Sequence, residues 1–266
     1  MIRFPLVRFV VAIFLAMLGF FASAARAETV EFRGATFRVY RFDPTAETLE
    51  LFWRDESGKP YLTFQDLEKA LNARGRRLKL ALNAGIYEPG FKPSGLHISG
   101  GKTLHRLNRD DAPPKRSPNE FTPNFFLKPN GVFFVRRDGT AAVLETERYA
   151  KAGETPVLAT QSGPLLLAKG AIHPAFGAAS TSRLIRNGVG VDSKGRVVLA
   201  CSIRAKGAGR INLHGFAELF RDRLDCRDAL YLDGDISELY LRPEMGDAIP
   251  ATNLFTGILA ITEPVK

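Results

Sequence analysis

The feature that most constrains the fold is an apolar run, residues 229–241, that two acidic residues interrupt. Ala-Leu-Tyr-Leu precedes Asp233, Gly234 and Asp235, and Leu-Tyr-Leu follows at residues 239–241. Apolar runs of this length with turn residues beside them are typical of buried strands. Because an unpaired buried charge is costly, both carboxylates need partners or water. An Asp-Gly pair predicts a hairpin turn. A functional site would instead use Asp233 as nucleophile or base, and Asp235 as a second carboxylate or metal ligand.

Short strand-like segments separated by turn residues recur along the chain, with no internal repeat and no long linker. We predict strands at residues 30–40, 48–53, 78–82 and 254–261, and a strand at 159–167 that Ser-Gly-Pro interrupts. We also predict a hairpin of 124–128 with 132–136, a second hairpin of 187–192 with 196–204, and helices capped by Thr63 and beginning at Asn212. This pattern predicts a single α+β domain over residues 28–266. Its core is a mixed, largely antiparallel sheet with a few flanking helices.

The first 27 residues have the pattern of a secretory signal peptide. Arg3 and Arg8 precede an apolar run at residues 9–22, and Ala-Arg-Ala at 25–27 matches a cleavage site. The apolar run is shorter than the roughly 18 residues that a membrane anchor needs. We therefore predict cleavage after Ala27, a periplasmic or secreted protein, and no stable membrane insertion after cleavage.

Removal of this segment takes away three arginines and no acidic residue, so the formal net charge falls from +9 to +6. A moderately basic protein is compatible with a polyanionic envelope or a phosphorylated substrate. No basic arm and no basic run interleaved with aromatic residues is present, so nucleic acid is not a predicted partner. Cys201 and Cys226 lie in apolar strand-like contexts, and the sequence leaves open whether they form a disulfide.

Polar residues and glycines cluster after the predicted strand at 78–82. Asn83 and Gly85 begin a loop rich in glycine, which favours a functional role. Residues 105–122 are charged and rich in proline, which indicates either a lid or a solvated insertion. Ser162 lacks the glycine two residues earlier that marks a nucleophile elbow, so we interpret it as a residue lining a polar site.

Basic residues provide candidate phosphate contacts. Arg183 and Arg186 are either a bidentate phosphate clamp or two solvated arginines, and the glycine loop at 206–210 has amides that suit a phosphate at a helix start. His214 and Glu218 lie one helical turn apart and are either substrate contacts or a solvated polar face. No zinc-binding or serine-hydrolase motif is present, and we predict neither a metal nor a cofactor.

Four motifs, in order along the chain, resemble those of the phosphodiester glycosidase family. They are Asn-Ala-Gly-Ile-Tyr at 83–87, Gln-Ser-Gly-Pro at 161–164, the stretch at 182–192 and Leu-Asp-Gly at 232–234. The resemblance is closest to exported bacterial members. It implies cleavage of a sugar C1–oxygen bond with a phosphate ester as the leaving group, in a glycan phosphodiester substrate.

The resemblance also implies roles for individual residues. Asp233 would be the catalytic carboxylate, and Arg183 and Arg186 would hold the phosphate during catalysis. The substrate-binding residues would be Asn83, Gly85, Gln161, Ser162, Gly163, Gly234 and Ser237. His214 and Glu218 lie outside these motifs and are further candidate substrate-binding residues. The family pattern Asp-Gly-Gly-Gly-Ser is broken here by Asp235, which either repels the phosphodiester, binds a cation or points away.

Two other functions fit the same residues. A non-catalytic glycan-binding or envelope-assembly protein would keep the fold and bind without turnover. A metal-dependent phosphoesterase would use Asp233 and Asp235 as metal ligands. Cleavage products and sensitivity to a chelator distinguish these alternatives.

Overall fold

The computed structural model describes residues 26–118, 120–204 and 208–265. The strands in these ranges are β1 (Arg26–Phe32), β2 (Ala35–Phe42), β3 (Leu49–Phe52), β4 (Arg76–Asn83), β5 (Tyr87–Glu88), β6 (Lys92–Pro93), β7 (His97–Ser99), β8 (Lys102–His105), β9 (Gly131–Val135), β10 (Ala141–Glu145), β11 (Leu158–Ser162), β12 (Leu165–Ala168), β13 (Ala171–Ile172), β14 (Asn187–Asp192), β15 (Val197–Ser202), β16 (Cys226–Asp233), β17 (Leu239–Leu241) and β18 (Ile258–Pro264). The helices are α1 (Phe64–Asn72), α2 (Thr146–Ala152), α3 (Leu213–Glu218) and α4 (Arg242–Met245), with a 3-10 turn at Asn124–Phe126 and a π-helical segment at Leu219–Arg223.

Three sheets enclose the main core. The seven-stranded sheet has the order β1-β2-β15-β14-β16-β12-β13, the five-stranded sheet β10-β9-β11-β7-β8 and the four-stranded sheet β17-β4-β18-β3, while β5 and β6 form a separate pair. Side chains from all three sheets meet in one apolar cluster, for example Leu199, Phe133 and Leu82. The strand pairs described are antiparallel. The predicted α+β class with a largely antiparallel core is therefore confirmed.

Helices cover the outer faces of these sheets. Thr63 caps α1 as predicted, because its hydroxyl accepts a hydrogen bond from the Asp66 N–H, and Phe64 and Leu67 of α1 are buried in an apolar cluster with β4 and β18. Asn212 caps α3 through the Gly215 N–H, also at the predicted position. Burial of one apolar face gives short helices most of their stability.

Three strand predictions are wrong. The stretch at 159–167, predicted as one interrupted strand, is two strands in different sheets, β11 and β12. The single strand predicted at residues 30–40 is a hairpin of β1 and β2, because Arg33 and Gly34 both adopt positive φ and turn the chain. The predicted hairpin of 124–128 with 132–136 does not form either. Residues 124–126 are a 3-10 turn, and β9 pairs with β10 and β11. The predicted hairpin of β14 with β15 is confirmed.

The two cysteines are free buried thiols. Cys201 pairs with Asn187 at one end of β14, and Cys226 pairs with Asp192 at the other end. Five residues of extended chain span roughly 17 Å. This separation exceeds the ~7 Å Cα–Cα limit for a disulfide.

The predicted signal peptide lies almost entirely outside the described residues. Only Arg26 and Ala27 are described, and they begin β1. The division of the chain at residue 27 therefore stays a prediction. Lys206 and Gly207, the first residues of the predicted phosphate-binding loop, also lie outside the described ranges. None of the helices in those ranges is long and apolar enough to cross a membrane.

Candidate active site

The candidate site lies where the chain passes from one sheet to another. β16 ends at Asp233 in the seven-stranded sheet, and β17 begins at Leu239 in the four-stranded sheet. The hairpin predicted by the Asp-Gly pair is therefore absent, since β16 and β17 do not pair with each other. The carboxylates instead lie on a connection between sheets, beside the ends of β4 and β11 and the start of β14.

Asp233 has two hydrogen-bond donors and a perturbed pKa. Its Oδ1 accepts from the Gly234 N–H at 2.7 Å, and its Oδ2 lies 3.4 Å from Asn83 Nδ2. Burial raises the pKa of this carboxyl to about 6, against the opposing effect of the hydrogen bonds from Gly234 and Asn83. Such a group is mostly ionised at pH 7 and can still exchange a proton near neutrality, which suits a catalytic carboxylate.

Two asparagine side chains orient the NH₂ group that faces Asp233. Asn83 belongs to the four-stranded sheet and Asn187 to the seven-stranded sheet. Asn83, the last residue of β4, accepts at Oδ1 from the Glu238 N–H and from Asn187 Nδ2, each at 2.9 Å. With its oxygen engaged twice, Asn83 directs its NH₂ group at Asp233. The Ser237 hydroxyl lies 3.1 Å from Asn187 Oδ1 and 2.6 Å from the carbonyl oxygen of Gly234. This network joins the Asp233 turn to both sheets.

Arg186 is a buried cation whose guanidinium bonds to neutral groups. The residue is 1% exposed. Its Nε donates to Ile211 O at 2.7 Å, its Nη2 to Ser182 O at 3.1 Å and its Nη1 to Tyr231 Oη at 3.4 Å. Burial lowers the pKa of this guanidinium, while Tyr231 and the more distant Asp235 raise it. A guanidinium has five N–H donors, so these contacts leave donor capacity for an anion.

Arg183 has a different environment from Arg186. It is exposed, its Nη2 donates to Arg210 O at 3.2 Å, and Arg210 Nη1 donates back to Arg183 O at 3.4 Å. These reciprocal contacts join residues 182–184 to residues 210–211. The structure thus separates the two arginines of the predicted clamp into one buried side chain and one surface side chain.

The two acids of the turn have separate partners. Asp235 Oδ1 accepts from the Ile185 N–H at 3.0 Å and lies 3.7 Å from Arg210 Nη1. The Asp235 carboxylate therefore fixes the backbone next to Arg186, whereas Asp233 faces Asn83. Within the described ranges, no group of three or more His, Cys, Asp or Glu side chains is placed to hold a metal ion.

The side chains of Gln161 and Ser162 form hydrogen bonds with backbone groups of the segments around the site. Gln161 Oε1 accepts from the Leu96 and Asn108 N–H groups, and its Nε2 donates to Asn108 O at 2.6 Å. Gln161 thus anchors the first part of the charged, proline-rich loop. The Ser162 hydroxyl donates to Leu232 O at 3.0 Å and lies 3.3 Å from the Ile86 N–H. Both side chains are buried and engaged by the protein itself.

The three glycines among the predicted substrate-binding residues occupy positions without room for a side chain. A Cβ at Gly163 would lie 2.7 Å from the Asn130 side chain, and a Cβ at Gly234 would lie 2.9 Å from Tyr231 Oη. A Cβ at Gly85 would lie 2.6 Å from the Gln161 carbonyl. The close approach of a neighbouring side chain or backbone group therefore explains glycine at each of these positions.

Replacement of Gly85 by alanine is expected to destabilise the protein by about 1–3 kcal/mol, because the new methyl group meets the Gln161 backbone carbonyl, which cannot move freely. Urea denaturation followed by tryptophan fluorescence measures the change. Gly177→Ala is the matched control, since a Cβ there meets no atom within 4 Å. Equal stability of the two variants would contradict the close approach at Gly85.

His214 and Glu218 form a separate polar group on α3. Glu218 accepts from Arg33 Nη2 at 2.8 Å and lies 3.3 Å from His214 Nδ1. In the part of the chain that is described, no hydrogen bond or ion pair of these two residues reaches Asp233 or Arg186. They fasten the turn between β1 and β2 to α3.

Sequence reasoning did not select Tyr231 or Asn187 as site residues. Tyr231 lies within an apolar strand, so its pattern indicates only burial. Its hydroxyl nevertheless contacts Arg186 and the turn at Gly234. Asn187 begins a glycine-rich strand, and its interaction with Asn83 bridges two sheets. A polar atom inside an apolar run was the one available signal for Tyr231.

Comparisons with known proteins agree with this geometry. A family model described as phosphodiester glycosidase matches residues 76–252. The uncharacterised protein YigE of Escherichia coli strain K12 is 32% identical over 236 residues, which cover 89% of this chain and 85% of YigE.

Two solved structures share the fold. One is the zebrafish N-acetylglucosamine-1-phosphodiester alpha-N-acetylglucosaminidase catalytic domain, auto-inhibited by its pro-peptide (TM-score 0.58, 16% identity, 89% of this chain and 81% of that chain). The other is a hypothetical protein from Synechocystis (TM-score 0.53, 15% identity, 90% of this chain and 61% of that chain). At these identities the two structures support the fold alone. The family model spans most of the chain and includes Asn83, Arg186 and Asp233, and on this ground the protein belongs to the phosphodiester glycosidase family.

Proposed function

We propose that this protein is an exported glycosidase that cleaves the sugar C1–oxygen bond of a sugar-1-phosphodiester in an envelope or extracellular glycan. Family membership supports glycosidase-type hydrolysis. The observation that carries the finer proposal is Arg186, a buried cation bonded to neutral groups and linked through Tyr231 to the Asp233 turn. A phosphate diester is an anion that a guanidinium binds through paired hydrogen bonds.

The proposed roles follow from the chemistry of the leaving group. A phosphate ester departs readily as an anion, so the reaction depends less on a general acid than ordinary glycoside hydrolysis does. Arg186 stabilises the departing phosphate. Asp233, ionised above pH 6, attacks C1 or activates water on the sugar. Asn83 orients Asp233, and its NH₂ group is positioned to bond a sugar hydroxyl.

A product analysis tests this proposal. Purified protein is incubated with methyl phosphodiesters of several hexoses and N-acetylhexosamines, including N-acetylglucosamine, in both anomeric forms, and ³¹P NMR identifies the products. We expect free sugar and methyl phosphate, at a rate unchanged by EDTA. Sugar 1-phosphate and methanol, formed in a reaction that EDTA stops, would identify a metal-dependent phosphoesterase. Binding of a diester without turnover would identify a glycan-binding protein.

Export is part of the proposal and rests on residues 1–27. Expression of the full chain in a Gram-negative host, followed by fractionation and N-terminal sequencing, is expected to give a periplasmic protein that begins at Glu28. An intact N-terminus in the cytoplasmic fraction would contradict export without affecting the proposed chemistry.

Replacement of Asp235 by asparagine is expected to lower KM for the phosphodiester about two- to threefold and to leave the fold intact. The amide oxygen still accepts the Ile185 N–H, while one half-exposed negative charge near the anion site is lost. Steady-state kinetics at low ionic strength measures the effect. Asp228→Asn is the matched control, because Asp228 accepts the Lys169 N–H near the other end of β16. If a chelator inhibits the wild type and Asp235→Asn also loses activity, Asp235 is instead a metal ligand.

A further inference from the structure

Tyr231 is the residue that contacts both functional parts of the candidate site. It belongs to β16, two residues before Asp233, and its ring packs in the apolar cluster beneath α3. Its hydroxyl lies 3.4 Å from Arg186 Nη1, and its ring centroid is 5.5 Å from the Arg186 guanidinium carbon. The ring and the hydroxyl therefore restrict the guanidinium from the same side.

The same hydroxyl touches the turn that carries Asp233. A Cβ on Gly234 would lie 2.9 Å from Tyr231 Oη, so the hydroxyl fills the space that a side chain would need. The hydroxyl therefore lies next to both the Arg186 guanidinium and the Gly234 backbone, whose N–H donates to Asp233 Oδ1. Tyr231 is 1% exposed, and the packing leaves its ring little freedom.

The Tyr231 hydroxyl also lies near the proline-rich loop. The side chain of Asn124, which begins the 3-10 turn directly after that loop, lowers the pKa of the phenol. Burial and the charge of Asp233 raise the pKa of the phenol, against the opposing effect of Arg186. Tyr231 therefore remains neutral at physiological pH, and a neutral hydroxyl can accept from Arg186 without cancelling its charge.

We propose that Tyr231 is a positioning residue, which holds the Arg186 guanidinium in the orientation that binds the substrate phosphate. This inference rests on the proposed function, because it assigns the phosphate to Arg186. Arginine side chains have many rotatable bonds, and an anion binds more tightly when the donors are already in place. Tyr231 supplies this preorganisation without touching the reacting atoms.

Tyr231→Phe tests the proposal, since it keeps the ring and removes the hydroxyl. We expect about tenfold weaker competitive inhibition by inorganic phosphate and a KM for the diester raised by a similar factor, with kcat changed less than threefold. The pH dependence set by Asp233 should stay in place. Tyr40→Phe is the matched control, because Tyr40 is also a buried tyrosine whose hydroxyl contacts one side chain, Glu47, away from the site. Unchanged phosphate inhibition in Tyr231→Phe would overturn the assignment.

A double-mutant cycle separates positioning from simple loss of packing. In an Arg186→Met background, Tyr231→Phe is expected to have no further effect on phosphate affinity, because the guanidinium that Tyr231 holds is absent. Additive losses would overturn the proposal. Should Tyr231→Phe fail to fold, Gly234→Ala replaces it, because the added Cβ would lie 2.9 Å from Tyr231 Oη and displace the hydroxyl. Weaker phosphate inhibition is expected, and unchanged inhibition would contradict the proposal.

Titration calorimetry with inorganic phosphate keeps this test independent of turnover. If the wild-type protein hydrolyses no sugar-1-phosphodiester, the proposed function fails. A weaker phosphate affinity in Tyr231→Phe then still supports the coupling of Tyr231 to Arg186. If wild type hydrolyses the diester while phosphate affinity is the same in wild type and Tyr231→Phe, the inference fails and the proposed function stands.

Discussion

Replacement of Asp233 by asparagine is expected to abolish turnover and, at neutral pH, to make the folded protein more stable. The amide cannot attack C1 or accept a proton from water, so we expect a loss of at least about 10³-fold in kcat. It can still accept the Gly234 N–H through its oxygen. The turn that joins β16 to β17 should therefore keep its conformation, and the loss of activity is not a loss of fold. The NH₂ group of the new amide then faces the NH₂ group of Asn83, and the loss of that hydrogen bond offsets part of the stability gain.

The stability effect follows from the raised pKa of Asp233. Its folded pKa of about 6 exceeds the ordinary aspartate pKa of 3.8, so the folded protein binds the proton more tightly than the unfolded chain does. The unfavourable ionisation of Asp233 therefore removes stability from the wild type as pH rises from about 4 to about 6, and the loss persists above that range. The shift corresponds to at most about 3 kcal/mol. Asp233→Asn lacks this loss.

Thermal melting at pH 4.5 and pH 7.5 measures the difference between wild type and Asp233→Asn. We expect the melting temperature of the variant to rise relative to that of wild type as pH rises, with the largest difference at pH 7.5. Asp192→Asn is the control of opposite sign, because Asp192 is a buried acid paired with Arg41 and Arg196 at the far end of β14. That variant should be destabilised by roughly 3 kcal/mol and remain active. Wild-type turnover in Asp233→Asn would remove Asp233 from catalysis.

Local signals in the sequence predict much of the fold. The sequence predicts a helix capped by Thr63 and another that begins at Asn212, and both side chains cap the first turn in the structure. The hairpin of β14 with β15 follows from the turn residues between two apolar segments. Each of these features depends on residues within a few positions of one another, which is the range over which a sequence pattern is informative.

Pairing between distant strands is what the sequence does not reveal. The Ser-Gly-Pro at 162–164 and the Asp-Gly at 233–234 both resemble turns within a sheet, yet each marks a crossing between two sheets. The crossings touch, since the Ser162 hydroxyl bonds to Leu232 O. Their contact depends on residues 70 positions apart, so no local pattern encodes it. The Ser-Gly-Pro and Asp-Gly motifs, each of which locally favours a turn, therefore lie next to each other at the candidate active site.

Individual site residues show the same limit. Arg183 and Arg186 are equivalent as letters in a sequence, and only the packing of residues 182–185 against Ile211 separates a buried guanidinium from an exposed one. Gln161 was predicted to bind substrate, but four hydrogen bonds within the protein engage its amide. Burial and bonding partners distinguish substrate contacts from structural ones, and both are properties of the folded chain.

Replacement of Arg186 by lysine or methionine is expected to lower kcat/KM for the phosphodiester by roughly 10²- to 10³-fold. Lysine keeps the charge and loses the planar fork that contacts Ile211 O, Ser182 O and the phosphate together. Methionine removes the charge and keeps most of the apolar stem. Both variants should be inhibited much more weakly, though still measurably, by inorganic phosphate, while their affinity for the free sugar product stays close to that of wild type.

Arg183→Lys is the matched control, because Arg183 is exposed and bonds to the Arg210 carbonyl on the surface. We expect its kcat/KM to stay within about threefold of wild type. Circular dichroism and thermal melting of Arg186→Met check that the fold survives, which is the expected result since removal of a buried charge offsets the two carbonyl hydrogen bonds that are lost. If Arg183→Lys proves the more damaging change, the phosphate lies at the surface arginine. The contact between Arg186 and Tyr231 would then serve stability alone.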